Sequence, residues 1–251
     1  MSVYACSDLH GMLHFYKSIK EMLKPEDKVF FLGDAGDRGP HPWETIKAVL
    51  DDPQFIYIKG NHEDMLIKTI EGYLYDGMPD YHDFHLLASN DGDTTYDEAI
   101  RDPDLRAAYD KLSKLPLIQE YINTSNERIV LSHAGFTPWK SAFYADDEEK
   151  KDIVYDRPHP KELIWNRDHY LDTWDKEDCV DCFIIHGHTP IPYLLDDIDP
   201  ACTMGEIEPG VLWYDDGRKC CIDCGAVFTG YFVLLDLDTW DEHIFCSEPY
   251  L

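Results

Sequence analysis

The chain has 251 residues, of which 44% are hydrophobic and 13% aromatic, so it can build a sizeable core and is not generally disordered. Its 22 basic residues are outnumbered by 50 acidic ones, which gives a formal net charge of −28 at pH 7. This excess repels nucleic acid polymers and anionic membrane surfaces, so we expect neither as a partner, and an anionic substrate needs a local positive site. We expect a single domain over residues 1–251.

Export and membrane insertion are not expected. No segment approaches the roughly twenty apolar residues of a membrane span. The first apolar run, residues 3–6, leads directly into the polar residues Asp8 and His10 and not into a cleavage site. The eight cysteines then indicate reduced thiols, and we expect a cytoplasmic protein.

Apolar runs alternate with amphipathic segments at the beginning of the chain. The pattern predicts strands over residues 3–6, 29–32 and 55–58, helices over residues 12–23 and 43–50, and a further helix that carries Met65, Leu66, Ile67 and Ile70. A strand, a loop and a helix repeated in this way are typical of layered α/β proteins with a largely parallel sheet. Each strand is followed by a polar motif, at the position where such sheets bind ligands.

The pattern changes after residue 71. Residues 72–97 are acidic, aromatic and interrupted by Gly77-Met78-Pro79, so this stretch reads as an insertion at the rim. It belongs to an insertion around residues 72–115, called the rim insertion below, and we expect a second insertion around residues 139–165.

Apolar segments return in the second half of the chain. Strands are predicted over residues 129–131 and 182–185, and residues 211–237 read as an antiparallel run of hairpins. Together with the first half, this predicts an α/β fold in which two mixed β-sheets pack face to face with helices outside.

The most informative stretch is residues 33–39 (G-D-A-G-D-R-G), which holds two carboxylates, one guanidinium and three glycines directly after a predicted strand. Small residues allow a sharp turn and the close approach of an anion, so this composition is typical of a phosphate-handling metal loop. Taken alone, the stretch could equally be a charged turn.

Polar residues come directly after five predicted strands, and we expect the ends of those strands to converge on one edge. The residues are Asp8, His10, Asp34, Asn61, His62, His133 and His188. One such residue is usually structural, but a whole series of them indicates a site. Carboxylate, imidazole and amide donors without a thiolate suit Mn²⁺, Fe or Zn²⁺.

The motifs around these residues match a family. Ser7-Asp8-Leu9-His10-Gly11 resembles D-x-H-G, residues 33–39 resemble G-D-x-x-D-R-G, Gly60-Asn61-His62-Glu63 resembles G-N-H-E, and His133 and Gly187-His188 resemble two later histidine motifs. Together they resemble the calcineurin-like metallophosphoesterases, in particular the phosphoprotein phosphatase branch of lambda phosphatase, bacterial Ser/Thr phosphatases and diadenosine tetraphosphate hydrolases. The resemblance implies the four-layer sandwich of that family.

The resemblance also implies a metal centre with two divalent ions, for which we expect Mn²⁺, with Fe or Zn²⁺ as alternatives. Asp8 and His10 would bind one ion, and Asp34 would bridge both. The other ion would be bound by Asn61, His133 and His188. A metal-bridging hydroxide would then attack phosphorus.

The remaining implied roles concern protons and phosphate. His62 would be the general acid for the leaving group, and Asp37 would orient it. Arg38 and Arg167 would bind the substrate phosphate together with Asn61, because an arginine fork matches two phosphoryl oxygens.

Three functions are compatible with these residues. The preferred one is a two-metal phosphomonoesterase that resembles Ser/Thr protein phosphatases and acts on phosphoproteins or small phosphoesters. The alternatives are a symmetrical dinucleoside tetraphosphate hydrolase, with a nucleotide substrate, and a non-catalytic binding protein on the same fold. The metal, the natural substrate and the oligomeric state are left open.

Two features outside these motifs have alternative interpretations. His186 is either a hydrogen-bonding group near the site or a packed residue at a strand end. The cysteines at positions 179, 182, 220, 221 and 224 could form a zinc site, but their alternation within apparent strands favours buried apolar residues.

Overall fold

The computed structural model of the chain describes residues 1–136, 160–167, 182–198 and 208–251. Within these ranges the strands are β1 (Val3–Cys6), β2 (Lys28–Phe31), β3 (Phe55–Tyr57), β4 (Ile118–Ile122), β5 (Arg128–Ser132), β6 (Phe183–His186), β7 (Leu212–Tyr214), β8 (Lys219–Cys221), β9 (Tyr231–Asp236) and β10 (Glu242–Cys246). Sheet I has the order β10-β9-β1-β2-β3, and sheet II has the order β4-β5-β6-β8-β7. The neighbours β1, β2 and β3 are parallel, as are β5, β6 and β8, and the remaining pairs are antiparallel.

The helices in the described part of the chain are α1 (Leu13–Met22), α2 (Pro42–Asp51), α3 (Asn61–Asp76), α4 (Tyr81–Ala88), α5 (Asp93–Ala99), α6 (Leu105–Leu112), α7 (Pro160–Trp165), α8 (Ile191–Ile198) and α9 (Ala226–Thr229). Pro42 opens α2, where its fixed φ suits the first turn, and α3 ends at Gly77, which has a φ of 77°. Across the described ranges, none of the helices has the length and apolar character needed to traverse a bilayer.

Alternation along the strands divides the core between the two faces of each sheet. Ala5 of β1 and Leu131 of β5 belong to a buried aliphatic cluster to which both sheets contribute. Cys6, the next residue of β1, belongs instead to a cluster with Phe15 of α1 and Ile46 of α2. Two mixed sheets therefore pack face to face with helices outside them, as the sequence predicts.

Two expectations about the topology are wrong. The last strands do not form one antiparallel run, because β8 pairs in parallel with β6 in sheet II whereas β9 lies between β1 and β10 in sheet I. The polar strand ends also do not share one edge, since β1, β2 and β3 belong to sheet I while β5 and β6 belong to sheet II. Periodicity locates a strand but does not identify its partner.

Within the expected rim insertion, α3 continues to Asp76 and is followed by α4 and α5, which the sequence pattern does not predict. The start of α4 has a physical signal, since the Asp80 carboxylate accepts a hydrogen bond from the backbone N–H of His82 at 2.8 Å. Most of the second expected insertion, at residues 139–165, lies outside the described residues, which include only α7 from it.

Candidate metal centre

The loops after the strands hold predicted metal ligands in an unusual backbone geometry. Asp8, His10, Asp34 and His188 have φ values of 56°, 43°, 59° and 69°. Non-glycine residues in this region cost about 1–3 kcal/mol each and persist only where surrounding contacts fix them. The loops after β1 and β2 fix each other, because the N–H of Asp8 donates to Gly33 O at 3.0 Å and the N–H of His10 donates to Asp34 O at 2.9 Å.

The carboxylate of Asp34 lies at the centre of the cluster. Its Oδ2 is 3.3 Å from Nε2 of His133 and 3.8 Å from Nε2 of both His10 and His62. Two groups of donor atoms, each within 4.8 Å, share this residue: His10, Asp34 and His62 form one, and Asp34, His133 and His188 form the other. A carboxylate has two oxygens, so this position suits a bridging ligand.

Asn61, the first residue of α3, joins the second group. Its Oδ1 lies 2.9 Å from Nε2 of His133 and 3.0 Å from Nδ1 of His188, and these two nitrogens are 3.1 Å apart. Three ligand atoms of the kind that Mn²⁺, Fe and Zn²⁺ accept therefore meet at one point.

Asp8 provides a test of whether the residues fit a cation. Its Oδ2 accepts hydrogen bonds from the backbone N–H of His188 at 3.1 Å and from the Ser7 hydroxyl. Its Oδ1 is buried, lies 3.9 Å from Nε2 of His10 and has no hydrogen-bond partner among the described residues. A buried carboxylate oxygen without a donor is costly, and a cation between Asp8 and His10 would offset that cost. The donor set thus fits divalent cations.

The electrostatics favour the neutral, ligating form at His10 and His188 and the protonated form at His133, from which a cation would have to displace a proton. Burial opposes the charge of Asp34, but His133 holds the pKa of this carboxyl well below its usual range. Burial raises the pKa of Asp8 and lowers the pKa of His10 and of His188, whereas Asp34 raises the pKa of His133 to about 10 against the effect of burial. Neutral imidazoles at positions 10 and 188 have the protonation state that metal ligation requires.

His62 and Arg38 face the same space. Nδ1 of His62 lies 2.5 Å from Oδ2 of Asp37, which leaves Nε2 directed toward Asp34. The Arg38 guanidinium reaches both imidazoles of the first group, with Nη1 2.8 Å from Nε2 of His10 and Nη2 3.2 Å from Nε2 of His62. The structure therefore brings the predicted acid, its carboxylate partner and the first predicted phosphate-binding arginine together.

Arg167 lies beside the cluster and not within it. Its side chain is exposed, and Nη1 is 3.4 Å from the hydroxyl oxygen of Thr189, the residue after His188. Trp165, at the end of α7, contacts His188 edge-on with the ring centroids 6.2 Å apart. This end of α7 thus borders the cluster on the side of His188.

Glu63 organises the loops, a role that the sequence motif alone does not reveal. Its buried carboxylate accepts hydrogen bonds from the backbone N–H groups of Asp34, Ala35 and Gly60 at 2.8, 2.9 and 2.9 Å, and from the Tyr57 hydroxyl at 2.7 Å. The available signal is its position three residues after Gly60, which is the spacing of a capping box.

His186 and the two cysteines of β8 are packed residues. His186 is buried, with Nε2 2.6 Å from the Tyr214 hydroxyl, and burial lowers its pKa to about 4, so it is a packed residue at the end of β6. Cys220 and Cys221 are free and buried in β8, and no group of potential metal ligands in the described residues includes a cysteine. Cys179 lies outside the described residues.

The fold and the site together define a layered α/β protein with a candidate metal centre between the strand ends of its two sheets. Residues 1–218 match the family model of the calcineurin-like phosphoesterases, and the chain belongs to this family. The resemblance in the motifs is thereby confirmed.

Relatives in this family carry two kinds of name. The chain is 27% identical over 139 residues to serine/threonine-protein phosphatase 2 of Escherichia coli (strain K12), and the matched stretch covers 53% of this chain and 58% of the relative. It is 26% identical over 222 residues to the asymmetrical bis(5'-nucleosyl)-tetraphosphatase PrpE of Anoxybacillus flavithermus, and this match covers 79% of this chain and 84% of the relative. The chain thus spans little more than half the length of the first relative but most of the second.

The fold has a counterpart among solved structures. A metallophosphoesterase from Sphaerobacter thermophilus matches with a TM-score of 0.55 at 17% sequence identity, over 99% of this chain and 88% of that one. At this identity the likeness concerns the fold.

Proposed function

We propose that the chain is a metal-dependent phosphoester hydrolase that cleaves phosphomonoesters, with phosphoserine and phosphothreonine in proteins as its substrates. The observation that carries the proposal is that Asp34 lies beside two sets of donors, His10 with Asp8 on one side and His133 with Asn61 and His188 on the other, while His62 and Arg38 face the same space. A site built only to bind an anion needs no such pairing of donor groups with an acid.

Asp8 and His10 would hold one divalent cation, Asp34 would hold both, and Asn61, His133 and His188 would hold the other. We propose Mn²⁺, with Fe or Zn²⁺ as alternatives, in a reducing cytoplasm. When bound, such a pair supplies positive charge to phosphoryl oxygens and makes water acidic enough to act as a nucleophile near neutral pH.

The protein side chains would position the phosphate. The guanidinium of Arg38 offers two N–H groups to two phosphoryl oxygens, and Arg167 offers a second fork at the edge of the cluster. The side-chain amide of Asn61 would donate to a phosphoryl oxygen while its Oδ1 faces His133 and His188. These contacts provide the local positive site that an acidic protein needs for an anionic substrate.

His62 would transfer the proton to the leaving group. It would do so as an imidazolium, with its Nδ1–H held by Asp37 and the proton on Nε2 passing to the leaving oxygen. Burial alone would lower the pKa of His62, but Asp34 and Asp37 raise it, which favours this doubly protonated form. The alkoxide of serine or threonine is a poor leaving group, and protonation by a positioned acid typically contributes about 10²–10⁴-fold in rate.

Hydrolysis of dinucleoside tetraphosphates is the second candidate. The PrpE relative, which carries that name, matches along 84% of its own length, whereas the phosphatase relative matches along 58%. The same ligands and arginines would serve this reaction, and the substrate would differ only in what the rim accepts.

A comparison of two substrates tests the proposal. Metal-free protein is loaded with Mn²⁺, bound metal is measured by mass spectrometry, and a phosphoserine peptide and diadenosine tetraphosphate are assayed side by side. We expect faster turnover of the peptide. Faster turnover of the nucleotide would favour the second candidate, and its products would reveal whether the split is symmetrical (two ADP) or asymmetrical (ATP and AMP). Metal-loaded protein that cleaves neither substrate nor p-nitrophenyl phosphate would favour a non-catalytic binding protein.

A further inference from the structure

The rim insertion contacts the candidate site through Thr95 of α5. This threonine is buried, and its hydroxyl oxygen accepts a hydrogen bond from the backbone N–H of Asp37 at 3.1 Å. The same hydroxyl donates its proton to Oδ1 of Asp37. The two residues are 58 positions apart, so the contact exists only because the rim insertion folds back onto the loop after β2.

The donor and acceptor capacity of each group determines where the protons lie between Thr95, Asp37 and His62. A carboxylate only accepts, so the single hydroxyl proton of Thr95 must be the donor toward Oδ1. Oδ2, the other oxygen, lies 2.5 Å from Nδ1 of His62 and accepts the proton on that nitrogen. The carboxylate of Asp37 is therefore fixed at both oxygens, and this fixes the proton on Nδ1 and the ring orientation of His62.

The surrounding packing leaves the carboxylate little freedom. A Cβ atom on Gly92 would lie 2.9 Å from Oδ2 of Asp37 and would overlap the side chain of Leu87, so the backbone before α5 packs directly against the Asp37 carboxylate. Asp91 O also accepts a hydrogen bond from the backbone N–H of Arg38 at 3.4 Å. Residues 91–95 thus contact the backbone of both Asp37 and Arg38 and the side chain of Asp37.

We propose that Thr95 is a positioning residue for proton transfer, which acts on His62 through Asp37. The inference rests on the proposed function, because it takes His62 as the group that protonates the leaving oxygen. It assigns the rim insertion a part in the chemistry in addition to any part in substrate choice. Without the hydroxyl, Asp37 can rotate, and Nε2 of His62 loses its fixed direction toward the leaving group.

The test compares Thr95→Val, which removes only the hydroxyl, with Thr95→Ser, which restores it. The control is Thr69→Val, because Thr69 is an equally buried threonine whose hydroxyl donates to Met65 O at 2.9 Å within α3. Each Mn²⁺-loaded protein is assayed on p-nitrophenyl phosphate, whose leaving group needs little protonation, and on phenyl phosphate, whose leaving group needs more. For Thr95→Val we expect kcat to fall by about 10- to 100-fold on phenyl phosphate but less than about 3-fold on p-nitrophenyl phosphate.

A second measurement does not depend on activity. In metal-free protein labelled with ¹⁵N, the Nδ1–H proton of His62, assigned by its loss in His62→Ala, is recorded by NMR. We expect its resonance to move upfield and its exchange with water to accelerate in Thr95→Val, with the wild-type signal retained in Thr95→Ser and Thr69→Val. This readout tests the contact even if the wild-type protein has no phosphatase activity, which would contradict the proposed function alone.

Two results would overturn the inference. One is an equal loss of kcat on both phosphate esters in Thr95→Val, which would indicate general damage to the site. The other is an unchanged His62 resonance in a folded Thr95→Val protein, which would mean that the hydroxyl does not position the imidazole.

Discussion

Asp34 is the residue that the two donor groups share. Asp34→Asn keeps the size of the side chain but removes the charge and one acceptor oxygen. We expect the variant to bind no more than one Mn²⁺ and to lose about 10³-fold in kcat, because both proposed ions would depend on this group. Metal content measured by mass spectrometry after gel filtration, together with turnover of p-nitrophenyl phosphate, checks this.

Asp27→Asn is the matched control for Asp34→Asn. Asp27 is also buried, but its carboxylate accepts hydrogen bonds from the backbone N–H groups of Ser2 and Lys24, away from the cluster. This variant should retain two ions. An Asp34→Asn protein that also retains two ions would contradict the bridging role.

Glu63 acts on the same site through the backbone, because its four accepted hydrogen bonds connect the loop after β2 with the start of α3. Glu63→Gln replaces one acceptor oxygen by an NH₂ group that faces N–H or O–H donors. We expect the free energy of unfolding to fall by about 2–4 kcal/mol, since hydrogen bonds to a buried charge are lost and donors are left unpaired. Urea unfolding measures this, and Glu21→Gln on the exposed face of α1 should change stability by less than about 0.5 kcal/mol.

The sequence predicts the residues that lie at strand ends better than the residues that hold them in place. Asp8, His10, Asp34, Asn61, His133 and His188 all lie in the cluster, because a short polar motif after an apolar run has a defined position in an α/β fold. Thr95 could not be predicted, since nothing in a helical pattern indicates which distant carboxylate a buried hydroxyl will contact. Such contacts depend on how the rim insertion folds back.

At the scale of secondary structure, α2 and the turn between α5 and α6 are joined by one partly buried carboxylate. Asp102 accepts hydrogen bonds from the indole N–H of Trp43 at 2.7 Å and from the ammonium of Lys47 at 2.5 Å. The hydrogen bond from Lys47, followed by those from the Asp104 backbone and Trp43, lowers the pKa of Asp102 to about 2. These hydrogen bonds hold the end of α5 against α2.

The stability contributed by Asp102 should depend on pH in a defined direction. The pKa of the folded state is depressed from 3.8 to about 2, so the contribution is present above pH 4 and is lost as the pH falls toward 2. We expect Asp102→Asn to lose about 1 kcal/mol at pH 7, since the partner Lys47 is partly exposed, and the difference from wild type to vanish near pH 2. Urea unfolding from pH 2 to 7 measures both.

Asp97→Asn is the control for this effect, because the ion pair of Asp97 with Arg101 is exposed on both sides. Its loss should change the free energy of unfolding by less than about 0.5 kcal/mol at any pH. A difference between Asp102→Asn and wild type that stays constant down to pH 2 would contradict the charge-based explanation.

Among the strands, those with continuous apolar runs are predictable from the sequence, including the edge strand β3, and two edge strands with a weaker pattern are not. The predicted bounds of β1 agree with the structure, and those of β2 are shifted by one residue. The strands β4 and β10 were missed because each lies at the edge of a sheet and alternates between exposed and partly buried residues, which weakens the apolar signal. Strand pairing was missed because one sequence carries no record of which strands become neighbours.

At the scale of the whole molecule, the net charge of −28 and the candidate metal centre act in opposite directions on an anionic substrate. The long-range field repels phosphate esters, whereas bound cations, Arg38 and Arg167 would attract them at contact distance. The balance depends on salt, since the Debye length falls from about 30 Å at 0.01 M to about 8 Å at 0.15 M ionic strength. Screening should therefore weaken the repulsion more than the contacts within the site.

Two phosphoserine peptides that differ only in their flanking residues, lysine in one and glutamate in the other, separate these contributions. At about 0.01 M salt we expect kcat/KM to be about 10-fold higher for the basic peptide, because the acidic protein accelerates its association and slows that of the acidic peptide. At about 0.15 M salt the ratio should shrink to about 2-fold, with kcat/KM rising for the acidic peptide and falling for the basic one. A preference for the acidic peptide that weakens with salt would instead indicate a basic docking face, which a chain of this charge could form only by concentrating its 22 lysines and arginines near the site.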